Sequence, residues 1–192
     1  MMPKKVAEQV KQGIEEHAVI DHKVFGKVYA YEVDGYGGLN FMDDANIPSL
    51  LSLPDMGFTD RDDPIYQNTR KMVMSNKGNP YYLEGRFFKG IGGPHVGILN
   101  AWPMSLLVAI RTSDDDAEIT EYLDLVKKTT AGLGLLHESI NVHSSRHAYT
   151  RPWFSWCNSE FGKTILDLAQ RKPHLIFKEK YDSVPYEFKP GA

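Results

Sequence analysis

The sequence lacks several features that would assign a function quickly. Cys157 is the single cysteine among 192 residues, so no intrachain disulfide is possible, which fits a reducing compartment. There is no excess of positive charge. The formal net charge is -3, with 22 Lys and Arg scattered along the chain. That removes the electrostatic case for nucleic acid or an anionic membrane as a partner, and no RNA-binding or zinc-finger motif appears. No run of ~18 apolar residues is present, so no membrane span is expected. The opening MMPKKVAEQVKQGIEEH reads as a charge-mixed amphipathic helix, not a signal peptide. No internal repeat or low-complexity segment stands out. What remains is ordinary globular composition, 42% hydrophobic and 24% charged, of a length that suits one domain or a piece of one.

Hydrophobic periodicity predicts mostly helix. From Pro3 to about Ile20, Val6, Val10, Ile14 and Ala18 recur near helical spacing. Lys27 to Asp34 alternates as a strand, Val28, Ala30 and Glu32 against Tyr29, Tyr31 and Val33, and breaks at Gly35, Gly37 and Gly38. Leu39 to Asn46 reads as a polar connection. Asn46 and Pro48 look like the start of a short helix over SLLSL, and Asp63 and Pro64 the start of a second, PIYQNTRKMVMS. The glycine-rich YYLEGRFFKGIGGPH is a hairpin or a long ordered loop. Trp102 and Pro103 open an apolar helix, MSLLVAI. Ser113 and Asp114 cap the next, which presents Ile119, Tyr122, Leu123 and Val126 on one face. A last helix is expected from Phe154 to Gln170, followed by a proline-rich, extended tail.

Thr129 to Asn158 concentrates the chemistry. It breaks at Gly132 and Gly134, passes Leu135 and Leu136 to His137 and Glu138, and continues through a polar loop to Arg151, Pro152, Trp153, Phe154 and Trp156. A carboxylate facing Trp and Arg suits a sugar: aromatic faces stack on pyranose rings, Arg bonds hydroxyls, and the carboxylate moves a proton. Glu138 is the main candidate, although a capping or salt-bridging Glu fits the same residues. Asp43 and Asp44 could touch substrate hydroxyls or supply an acid, or could cap a turn; Asp62 and Asp63 read as cap and turn. His137 and Glu138 begin like the zinc motif HExxH, but Asn141 stands where the second His is needed. His143 and His147 lie in loop-like sequence, so no metal site is expected. Cys157 among aromatics reads as a buried apolar group. Ser139 has no G-x-S-x-G context, and KGIGGPH lacks phosphate-loop spacing.

Six segments occur in order: YEVDGYGGLNFMDDANIPSLLSLP, DPIYQNTRKMVMS, NPYYLEG, KGIGGPH, GLLHESIN and YTRPWFSWCNSEFG. Together, from about Val24 to Phe161, they closely resemble the C-terminal half of glycoside hydrolase family 125, exo-acting α-1,6-mannosidases. The resemblance implies a mainly α fold, part of an (α/α)6 toroid with short β hairpins in its loops. It implies that residues 1–192 form the C-terminal portion of such a catalytic domain, with the N-terminal half absent. It also implies hydrolysis of terminal α-1,6-linked mannose with inversion and without metal or other cofactor. Glu138 matches the family's general base. Asp43, Asp44, His95, Arg151 and Trp153 are the expected substrate-binding residues. The family's general acid lies in an upstream motif with no counterpart in this sequence. The chain alone is therefore expected to be a half site, with a mannose-binding module or inactive fragment as the alternative.

Length points the same way. Twelve helices of mean length with mean connections need roughly 200 residues before any long loops are added, and only six or seven helices are legible. A half toroid would expose helix faces made to meet the missing half. Association with that half, or self-association, is therefore expected, as are mannose-containing glycans as ligands.

Overall fold

The computed structural model describes residues 2–144 and 148–177. The opening periodicity folds as helix α1 (Met2–His17). It stops at His17 rather than near Ile20 because Val19–His22 becomes strand β1, paired antiparallel with β2 (Gly26–Tyr29). The alternating run from Lys27 is two strands, not one. Ala30 N–H donates to the Ala18 carbonyl at 2.8 Å, and Tyr31 N–H donates to the Asn40 carbonyl at 2.9 Å. The chain then continues as β3 (Glu32–Val33) against β4 (Leu39–Asn40). The break falls where the backbone leaves one hairpin partner for another, and the expected connection at Leu39 supplies the second partner.

The helix expected over SLLSL is absent; this stretch is a series of turns. The Asp43 carboxylate takes the Leu50 and Leu51 N–H groups, each at 2.9 Å. The Asn46 side chain bonds Asp44 instead of capping a helix, and Pro54 blocks extension of the turn. The next start signal holds. Asp63 caps α2 (Pro64–Val73), accepting from Tyr66 N at 2.7 Å, with Pro64 in the first turn. Thr69 ties α2 to the first hairpin: its Oγ1 accepts from Tyr29 N at 2.8 Å and donates to the Ile65 carbonyl.

The glycine-rich stretch is a hairpin, β5 (Tyr82–Glu84) with β6 (Lys89–Ile91). Three short strands, β7 (Asn100–Ala101), β8 (Ser139–Asn141) and β9 (Tyr149–Thr150), form an antiparallel sheet in that order. Between β7 and β8 run α3 (Pro103–Arg111) and α4 (Asp116–Lys128); after β9 come α5 (Ser155–Arg171) and α6 (Pro173–Ile176). Asp115 caps α4 by accepting from Ala117 N and Glu118 N, one residue beyond the expected pair, while Ser113 Oγ receives Asp115 N. α6 begins inside the tail expected to be extended; the rest of that tail lies outside the described residues.

α3 is the hub. It is apolar on every side and buried along its whole length, with α4 and α5 packed against it. Its last carbonyls lack intrahelical donors, and arginines supply them. Arg70 Nη2 donates to the Ala109 carbonyl at 3.1 Å, Arg171 Nη2 to Ile110 at 3.0 Å and Arg61 Nη1 to Arg111 at 3.4 Å. Arg70 is itself forked onto Glu118. The Arg111 side chain, 2% exposed, bonds Asp55 Oδ2 at 2.9 Å, Glu160 Oε2 at 2.6 Å and Thr164 Oγ1 at 2.7 Å. It thereby joins the 55 turn to α5. The helix faces expected to be open are so at Val6 and Val10 on α1 and Leu166 on α5.

Removing Arg111 takes from Glu160 its Arg111 partner and leaves Asp55 with Lys163 alone. Arg111→Ala is expected to lower the unfolding free energy by about 3–5 kcal/mol, read by urea denaturation; a loss below about 1 kcal/mol would show the network to be peripheral. Burial pushes the Asp55 carboxyl up, but the bonds from Arg111 and Lys163 outweigh it and hold the group below its ordinary value. Asp55 therefore adds stability at neutral pH that is lost as pH falls below the usual carboxylate range. Asp55→Asn should flatten that acid limb.

Candidate active site

Gly132 and Gly134, at φ 80° and 69°, turn the chain out of α4. Leu136 is then clamped to α5 by Asn158, which donates to its carbonyl at 2.9 Å and accepts from its N–H at 3.0 Å. His137 is fully buried and stacks flat on Tyr149, with ring centroids 3.7 Å apart and 5° between planes. Its Nδ1 meets the Pro152 carbonyl at 2.5 Å, which requires the proton on Nδ1. Burial holds this histidine below its ordinary pKa, against the opposing pull of the carbonyls, so the ring stays neutral. His137 thus pins the segment before β8 to the segment after β9.

Glu138 emerges between these clamps. Its N–H donates to the Thr150 carbonyl at 3.2 Å. Its side chain is 12% exposed. Oε2 accepts from Thr150 Oγ1 at 3.0 Å and lies 3.4 Å from Arg151 Nε.

Arg151 has φ 48°, uncommon for a residue with a side chain. Its guanidinium lies over the Phe154 ring at 5.4 Å. From there the aromatic contacts run inward. Phe154 meets Trp102 edge-on at 5.7 Å, and Trp102 meets His95 at 5.3 Å and Trp156 at 6.4 Å, both T-shaped. Trp102 is buried at the start of α3; Trp153, beside Arg151, is 64% exposed. His95 is exposed.

Asp44 reaches the same neighbourhood through the 92–95 loop. Ala45 N–H donates to the Gly92 carbonyl at 3.1 Å. A Cβ on Gly93 would lie 3.0 Å from Asp44 Oδ2, so only glycine admits the carboxylate there without a shift. Asp44 Oδ1 receives both Asn46 N and Nδ2. Asp44 packs at Gly93, two residues before His95, and contacts then link His95, Trp102, Phe154, Arg151 and Glu138. Asp43 differs: it is wholly buried, with both oxygens on backbone N–H groups.

Other candidates fall away. Cys157 is buried and its thiol is pushed up to about 12, chiefly by desolvation. Among the described residues, no group of three or more His, Cys, Asp or Glu could hold a metal ion. His143 is exposed, and His147 lies outside the described residues. Three residues at the centre of the contacts had no sequence signal of their own. Trp102 read only as the opening of a helix, Ser139 only as a failed nucleophile, and Thr150 as part of a motif. Strand register brings Ser139 opposite Thr150.

The model of the metal-independent alpha-mannosidase family, glycoside hydrolase family 125, matches residues 2–166. This chain belongs to that family. The meiotically up-regulated gene 157 protein of Schizosaccharomyces pombe is 63% identical over 172 residues, covering 90% of the chain and 34% of the relative. A solved metal-independent α-mannosidase of Streptococcus pneumoniae, in a non-productive complex with α-1,6-mannobiose, superposes with a TM-score of 0.83 at 36% identity. That match covers 88% of this chain and 39% of the solved one. The chain thus spans little more than a third of the length of these relatives. The glycosidase resemblance and the mostly helical architecture with short hairpins both hold.

Desolvation pushes the Asp43 carboxyl up to about 7; backbone N–H groups oppose it and the Asp44 charge adds to it. The folded chain then binds this proton more tightly than the unfolded chain, whose value is about 3.9. Its contribution to stability is complete below the unfolded value and is lost as pH rises through about 7. Urea midpoints should fall between pH 5 and pH 8, and Asp43→Asn should reduce that fall; an unchanged slope in the variant would assign it to another group.

Proposed function

We propose that this chain carries the base-bearing part of an exo-acting α-1,6-mannosidase site, hydrolysing terminal non-reducing mannose with inversion. The observation that carries the reading is Glu138: a carboxylate 12% exposed, held on one oxygen by Thr150 and Arg151 beside an aromatic cluster, in a family-125 fold. Glu138 takes a proton from water as the water oxygen attacks the anomeric carbon. The glycosidic C–O bond breaks on the opposite face, and the leaving oxygen takes a proton from a general acid. No metal is needed for these steps.

Arg151 and Trp153 suit the terminal mannose, one as a fork of donors and the other as an exposed stacking face. His95 approaches it from the 92–95 loop, against which Asp44 packs at Gly93. Asp43 joins the binding set through backbone: with both oxygens on Leu50 and Leu51, it sets the course of the loop that carries Asp44. The acid would come from outside this chain, in the portion of the family's toroid that its described helices do not supply. That portion, or a second copy, would cover the open faces at Val6, Val10 and Leu166. The exposed Arg151 and Trp153 would also serve a second reading, mannose binding without hydrolysis.

The test is α-1,6-mannobiose hydrolysis by the purified chain, alone and with the preceding part of a family member, with the released anomer followed by NMR. Turnover should yield β-mannose, survive chelator, and fall by at least about 10²-fold in Glu138→Gln with binding kept. Unchanged turnover in that variant would refute the base assignment. Binding without turnover in either preparation would favour the second reading.

A further inference from the structure

We propose that Ser139 and Thr150 form a two-hydroxyl relay that aims Glu138, making both positioning residues for the reaction. The inference rests on the reading of Glu138 as the base. Ser139 Oγ and Thr150 Oγ1 are 2.6 Å apart, and Thr150 Oγ1 is 3.0 Å from Glu138 Oε2. The first pair alone could run in either direction. Proton accounting fixes it: an ionised carboxylate only accepts and a hydroxyl has a single proton. Thr150 must therefore give its proton to Glu138 Oε2, which leaves its own oxygen as acceptor for the proton of Ser139. The order is Ser139 to Thr150 to Glu138. Each donor polarises the next, and the bond to the charged oxygen gains most.

Burial and register make this more than a chance surface contact. Ser139 is completely buried, where a hydroxyl without a partner is costly. Ser139 and Thr150 are direct partners across β8 and β9, so the sheet itself sets their spacing. The Glu138 N–H donating to the Thr150 carbonyl also ties Thr150 directly to Glu138 through the backbone. The relay and the Arg151 contact both fall on Oε2. That arrangement holds the carboxylate by one oxygen and assigns the other, Oε1, to the water. An ordinary cross-strand Ser–Thr pair would stabilise the sheet without governing Glu138, and this is the difference to measure.

The first readout needs no turnover. In the 192-residue chain with labelled glutamate, NMR relaxation reports the side-chain order of Glu138. Thr150→Val, which keeps the shape and removes the hydroxyl, should lower that order. Thr150→Ser should restore it, and Ser139→Ala should lower it partway. Amide spectra elsewhere should stay unchanged. If Thr150→Val fails to fold, Ser139→Ala carries the test, because it leaves Thr150 and the backbone pairing in place. Glu138 equally ordered in the folded variants would overturn the relay.

The second readout is kinetic, with α-1,6-mannobiose and the preparation that turns over. Thr150→Val should lower kcat roughly ten- to a hundredfold, the range set by a hydrogen bond to a charged group, with KM nearly unchanged and rescue by Thr150→Ser. Loss of turnover in Glu138→Gln with none in Thr150→Val would overturn the relay alone. Turnover that survives Glu138→Gln would overturn the base reading beneath it.

Discussion

A helix with no exposed face must have its polar ends answered by protein, and α3 sets that constraint for the whole chain. At its C-terminal end, carbonyls that water cannot reach are met by Arg70, Arg171 and Arg61. Those arginines pair with carboxylates in turn: Arg70 with the largely covered Glu118, and Arg171 with Asp114 and Asp167 nearer the surface. Arg111 extends the network to Asp55 and Glu160. At the other end, Ser105 Oγ donates to the Trp102 carbonyl and accepts from Ile91 N. That closes the helix start against the β5–β6 hairpin. One end of α3 is a charge network and the other an aromatic cluster, and the candidate site gathers at the aromatic end.

This division explains how short, irregular strands can hold a carboxylate in place. The β7–β9 sheet is too small to be rigid by itself. It is pinned from behind by His137 stacked on Tyr149, and from the side by Asn158 gripping Leu136. Trp102, locked into the core, supports Phe154, which in turn lies under Arg151. Of the groups exposed enough to meet a sugar, His95 stands on the buried Trp102 and Arg151 on Phe154. Asp43, fully buried, fixes the neighbouring turn through the Leu50 and Leu51 N–H groups.

Helices were legible wherever the pattern was local. Pro64 after Asp63, Pro103 after Trp102, and the spacing of Ile119, Tyr122, Leu123 and Val126 each carried their own start or face. Two of the failures share a cause, since each depended on a partner distant in sequence. The run from Lys27 splits because Ala18 and Asn40 take its N–H groups in turn. SLLSL is not a helix because Asp43 takes its N–H groups from outside. Glu138 stood out for its place between glycines and a Trp- and Arg-rich segment, and the family motifs reinforced it. Thr150 and Ser139 could not be read, because eleven positions of chain separate two hydroxyls that only strand register brings together.

The central claim is that a sugar site survives in this chain around Glu138. It is tested most directly by titrating the isotopically labelled chain with mannose and with α-1,6-mannobiose, following each resonance by NMR. Saturable shifts at Glu138, Arg151, His95 and the Trp153 indole, with the network around Arg111 unmoved, are the predicted result. Saturable shifts gathered elsewhere, or none with a folded chain, would contradict it.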